Sequence, residues 1–79
     1  MIPSTSHPAS IFVFETDIRF KKDVLKITSF IESDYRIKKW NVDRNDRSNV
    51  LRIEASDLRS SEIIELVTSA GYRCEELPD

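Results

Sequence analysis

Four cations, Arg19, Lys21, Lys22 and Lys26, lie around Phe20 in the chain, and Asp23 is the only acid among them. Charge of one sign gathered beside an aromatic ring suits docking onto an acidic protein surface, because complementary charge raises the encounter rate. The plainer reading is a solvated face, and the residues alone leave both open. Asp23 also has two readings. An acid near a helix start is favoured by the helix dipole. As a metal ligand it is a lone hard oxygen donor, suited to magnesium or calcium, which take about six or more oxygens. The single cysteine, Cys74, and the single histidine, His7, are the remaining groups with metal or nucleophilic chemistry. As a pair they supply fewer ligands than a structural zinc site takes. They also fall in unrelated segments, so no nucleophile, base and orienting group can be assembled. No enzymatic activity, no cofactor and no metal site is expected.

The 79 residues include 12 Lys+Arg and 14 Asp+Glu, a formal net charge of −2. No global positive field exists to draw in nucleic acid or an anionic membrane, so any basic site is local. The longest apolar run, Ile11-Phe12-Val13-Phe14, is far short of the roughly 18 residues of a membrane-spanning helix. Residues 1–9 hold Pro3 and Pro8 with several Ser and Thr and read as a flexible tail. They lack the charged start and apolar stretch of a signal peptide, and one cysteine closes no intrachain disulfide. The expectation is a soluble, cytoplasmic protein with one domain over residues 10–79.

The elements that position these side chains follow from hydrophobic period. Residues 10–14 are β-branched or aromatic and apolar on both faces, which predicts a central strand. Phe20, Val24, Ile27 and Ile31 recur at helical spacing. After the break Ser33-Asp34-Tyr35-Arg36, Trp40 and Val42 alternate with Lys39, Asn41 and Asp43 in a second strand. A polar turn of residues 44–49 leads to a third strand over residues 50–55, in which Leu51, Ile53 and Ala55 alternate with Arg52 and Glu54. Ser60 or Ser61 is the expected cap of a second helix, with Glu62 in its first turn and Ile63, Leu66, Val67 and Ala70 on its apolar face. Gly71, the only glycine, ends that helix, and residues 72–77 form a short last strand.

The order βαββαβ predicts an α+β ferredoxin-like sandwich, a four-stranded antiparallel sheet with two helices on one face. Large rings fill the space under two helices, so Phe12 and Phe14 face inward. Ile11 and Val13 are then left on the open face beside Val50, Arg52 and Glu54, a candidate contact surface for a second copy or another protein.

Residues 18–43 resemble the heavy-metal-associated domain of copper and mercury chaperones and of metal-pumping ATPases. That family reads Met-x-Cys-x-x-Cys where this chain reads Ile18-Arg19-Phe20-Lys21-Lys22-Asp23. It then has apolar residues down the first helix, here Val24, Ile27, Phe30 and Ile31, and a Val-x-x-Val-x-Val-Asp strand, here Ile37-Lys38-Lys39-Trp40-Asn41-Val42-Asp43. The Ala70-Gly71-Tyr72 ending of the second helix is also typical of the family. The resemblance implies metal carried by two thiolates, but Phe20 and Asp23 occupy the cysteine positions, and a phenyl ring cannot ligate. What carries over is the scaffold and an end that meets partner proteins through complementary charge.

The reading that results is a domain of this kind that has lost its thiol pair. It works by protein contact through Arg19, Phe20, Lys21, Lys22, Asp23 and Lys26, or through Ile11 and Val13. Heavy-metal binding through an unusual site using Asp23, Cys74 or the tail is the alternative. Acyl-phosphate hydrolysis, suggested by the topology it shares with acylphosphatase and by Arg19, is weaker because residues 15–23 contain no glycine to bring backbone amides together. RNA binding is disfavoured because residues 49–54 lack the glycine and stacking aromatics of an RNA-recognition motif.

Overall fold

The computed structural model describes residues 9–45 and 47–77. All but Ala9 of the expected tail, His7 included, lies outside the described residues. The elements run β1 (Ser10–Thr16), α1 (Lys21–Ile31), β2 (Ile37–Asp43), β3 (Val50–Ala55), α2 (Ser60–Ser69) and β4 (Cys74–Glu76). They form one antiparallel sheet in the order β2-β3-β1-β4, with β1 central as its apolar run predicts. This is the expected ferredoxin-like sandwich. β1 runs two residues past the end of its apolar run, where it pairs with β4, Thr16 lying opposite Cys74.

Register sorts the side chains. Phe12 lies opposite Ile53, and Ile53 opposite Trp40; Phe14 lies opposite Leu51, and Leu51 opposite Val42. That set faces the helices and shares one core with Ile27 and Ile31 of α1 and Ile63 and Val67 of α2. Phe14, Leu51 and Ile53 are fully buried, each side chain worth about 1.5–3 kcal/mol of transfer free energy. On the other face Ile11 lies opposite Glu54, and Val13 opposite Arg52. Ile11 is 61% exposed there, as the packing of the two Phe rings requires. Val50, expected on that open face, is instead only 5% exposed. At this end of the sheet the Thr16 N–H donates to Ser48 O at 3.0 Å and its hydroxyl to Asn49 O at 2.7 Å, which holds the end of β1 to the turn preceding Val50.

Neither sheet edge is a plain strand. β2 carries an irregularity between Ile37 and Lys39, and β4 is three residues long. Gly71 ends α2 as expected, at φ +99. Its N–H donates to Thr68 O at 3.0 Å and the Tyr72 N–H to Val67 O at 3.3 Å, the paired bonds of a Schellman turn. The chain is thereby turned back toward the start of α1.

The helix starts differ from expectation in one respect. α2 begins after Arg59, not after a serine cap, and α1 begins after Phe20. In both helices the acid three positions past the cap reaches back, Asp23 Oδ2 accepting the Phe20 N–H and Glu62 Oε1 the Arg59 N–H, each at 3.1 Å. This is the carboxylate half of a capping box.

Candidate functional site

The loop between β1 and α1 is built from four residues with separate fates. Asp17 accepts the Arg73 N–H at 2.9 Å, tying the loop to the segment that follows α2. Ile18 is fully buried, and its N–H donates to the Thr16 hydroxyl at 3.2 Å. Arg19 and Phe20 then turn outward. Phe20 has extended backbone, φ −111 and ψ 158, and is 60% exposed. The helical spacing of Phe20 with Val24 and Ile27 suggests a place on the buried stripe. A cap residue is outside the helical backbone, however, and its side chain leaves the stripe.

Two of the predicted cations lie against aromatic rings at this end. Lys22 Nζ lies 5.9 Å from the Phe20 ring centroid, and Lys26 Nζ lies 5.6 Å from the centroid of Tyr72. Both are cation–π distances. Arg19, Lys21, Lys22 and Lys26 are exposed and make no ion pair with an acid among the described residues. The acids at this end are turned inward. Asp23 Oδ1 accepts the Tyr72 hydroxyl at 2.9 Å while Oδ2 holds the Phe20 N–H. The Tyr72 bond first, then the Phe20 bond, holds the Asp23 carboxyl below its ordinary range. Desolvation first, then Asp23, raises the Tyr72 phenol.

Two residues missed by sequence reasoning belong to this end. Tyr72 is 49 positions from Asp23, and nothing in local spacing pairs them. Arg44, in the turn after β2, lines one polar recess with Arg19, Asn41, Asp43 and Asn45. Within it Asp43 Oδ1 accepts the Asn45 N–H at 3.1 Å, so this acid too is engaged with backbone. Of the open-face candidates, Ile11 lines a shallow apolar recess with Lys39, Asn41, Arg52 and Glu54, while Val13 is half-buried.

The soft-metal site implied by the resemblance does not fit these residues. Phe20 has no donor atom, and both Asp23 oxygens are taken. Cys74 is buried, and that burial pushes its thiol up to about 12, away from the thiolate that binds metal. No group of three or more His, Cys, Asp or Glu able to hold a metal ion occurs among the described residues. No helix among them is long and apolar enough to cross a membrane.

No protein-family profile matches the chain, and no curated protein sequence matches it. Its fold does match solved structures. The N-terminal domain of PacS from Synechocystis PCC6803 superposes with a TM-score of 0.75 at 14% identity, over 89% of this chain and all of that one. The copper(I)-loaded first domain of the human copper chaperone for SOD1 gives 0.73 at 12%, over 86% and 92%. The Atx1-Cu(I)-Ccc2a complex gives 0.73 at 14%, over 87% and 96%. At such identities the likeness is one of fold: the backbone is that of heavy-metal-associated domains, and the metal-binding residues are a separate question.

Proposed function

We propose that residues 10–79 form a non-enzymatic protein-interaction module of the cytoplasm, a heavy-metal-associated scaffold without its thiol pair, whose partner presents an acidic surface to the Phe20 end. The observation that carries this reading is Phe20 itself, 60% exposed at the apex of the loop among cations that form no ion pair with an acid of the described residues. An aromatic anchor within a charged rim is the usual anatomy of a protein contact. Arg44 beside Arg19 widens the rim. A structure of the same fold was solved as the Atx1-Cu(I)-Ccc2a complex, which supports association between proteins as a use of this scaffold. Ile11 on the open sheet face supports a second contact, with another protein or a second copy of the chain.

Affinity capture with matched baits tests the proposal. Phe20→Ala and Lys22→Glu should each lose a partner that wild type holds, while Lys38→Glu, the same charge change on exposed Lys38 of β2, should keep it. Retention of every partner by both tip variants overturns the reading. Heavy-metal trafficking and acyl-phosphate hydrolysis remain weaker, since one lacks donor atoms and the other lacks a glycine loop.

A further inference from the structure

Phe20 faces solvent, so core packing does not fix its position, and its ring has Lys22 as its cation–π neighbour. What places it is the backbone, whose carbonyl accepts the Asp23 N–H at 2.9 Å and the Val24 N–H at 3.1 Å, leaving the N–H side to be held by a side chain. The Phe20 N–H, on a residue outside both β1 and α1, donates to Asp23 Oδ2 at 3.1 Å. A carboxylate on the first turn of a helix that is held through one oxygen keeps more rotational freedom than one held through both. Here Oδ1 accepts the Tyr72 hydroxyl at 2.9 Å. Tyr72 is in turn fixed by the turn at Gly71, through its N–H on Val67 O, and by Lys26 Nζ 5.6 Å from its ring centroid.

We infer that Tyr72 is a positioning residue for Phe20. Its hydroxyl fixes Asp23, and Asp23 fixes the backbone that carries the exposed ring. The relay crosses from the end of α2 to the start of α1 and works without any bound ion. Its benefit is preorganisation, because an anchor already held in its binding orientation loses less freedom on docking. The charged groups around the relay are Lys22 and Lys26 from α1 and Asp17 from the loop. In being a device for docking, the inference rests on the function proposed above; the relay itself is tested on the protein alone.

Tyr72→Phe keeps the ring, the Lys26 contact and the turn, and removes only the hydroxyl. Amide–water exchange by NMR should become several-fold faster at Phe20, with exchange at Phe14 and Leu51 in the sheet unchanged. Asp23→Asn, which leaves one acceptor oxygen for two donors, should loosen the same amide. Adding back a carboxylate as Asp23→Glu should restore part of the protection, which a general loss of stability would not. Unchanged Phe20 exchange in Tyr72→Phe overturns the relay. If Phe20 loosens as expected but Phe20→Ala releases no partner in the capture experiment, the relay stands and the docking function falls.

Discussion

The two ends of the molecule handle charge in opposite ways. Away from Phe20, where α1 runs into β2 and β3 into α2, Arg36 closes a network. Its Nη2 lies 2.8 Å from Asp34 Oδ2 and its Nε 3.0 Å from Oδ1, while Nη1 reaches Glu62 Oε2 at 3.1 Å and Asp57 O at 3.4 Å. Arg36 thereby holds the Asp34 carboxyl low; at Glu62 the Arg59 N–H is the larger cause and Arg36 the next. Asp34 and Arg36 lie two positions apart, and Glu62 lies 26 positions from Arg36. At the Phe20 end Asp17, Asp23 and Asp43 are spent on backbone and on Tyr72, and Arg19, Lys21, Lys22 and Lys26 are left without an ion pair among the described residues. The same ingredients thus give a closed clamp at one end and an open, positively charged rim at the other. A clamp satisfied within the chain has nothing to offer a partner; the rim does.

Perturbations from large to small sharpen this contrast. The greatest loss is expected from Ile18→Ala, which removes the buried foot of the loop and should cost about 2–5 kcal/mol in chemical denaturation. A loss much smaller than that would mean the open end is not fastened through its core residue. Gly71→Ala should cost about 1 kcal/mol or more, because its φ of +99 suits glycine. Space is not the obstacle, since a Cβ there would meet Lys26 Nζ at an ordinary 3.8 Å.

Next in size are the two ends compared by pH. Asp34 and Asp23 both have folded values depressed below the ordinary carboxylate range. Each contribution to stability is therefore complete above about pH 4 and is lost as pH falls through the depressed folded value. Arg36→Met should remove the largest part of the share of Asp34, and Tyr72→Phe the largest part of that of Asp23, the backbone N–H bonds to each carboxylate remaining. In denaturation curves taken down the pH scale, the gap to wild type should be widest near neutrality and narrow in acid. A gap that widens in acid contradicts the assignment. Lys22→Glu, in contrast, should shift stability by no more than about 0.5 kcal/mol, because the residue serves the rim and no clamp. The smallest effect concerns Cys74. Its thiol should stay unreactive toward a disulfide reagent until the chain unfolds, and titration with Cu(I) or Zn(II) should leave the amides of residues 19–24 and 74 unshifted. Saturable shifts there would restore a metal site with new ligands.

Much of the architecture was legible because period and burial coincide. Leu51, Ile53 and Ala55 alternate in the sequence and are buried in the structure, and Ile27 and Ile31 recur at helical spacing and face the core. The helix starts were legible only from the acids. Glu62 and Asp23 each mark a cap three residues upstream, a signal that points to Phe20 in α1 and, in α2, to Arg59 where serine preference points elsewhere. Phe20 misleads because helical spacing continues through a cap whose backbone is not helical. The relay and the clamp were out of reach for a different reason. Tyr72 with Asp23, and Arg36 with Glu62, meet only after the chain has folded back across the sheet, and no local pattern encodes a pair so far apart. The Ala70-Gly71-Tyr72 ending hinted at the place without naming the partner.

The interrupted edges of the sheet bear on how the molecule tolerates crowding. A long, regular outer strand offers its free amides and carbonyls to any neighbouring chain and so seeds fibrils. Here one border breaks register beside a pair of lysines, Lys38 and Lys39, and the other is only three residues long, two of them the exposed Glu75 and Glu76. Lateral stacking of copies along the hydrogen-bonding direction is thereby opposed at both borders, so the chain can display an uncovered aromatic at high concentration without recruiting itself into a growing sheet.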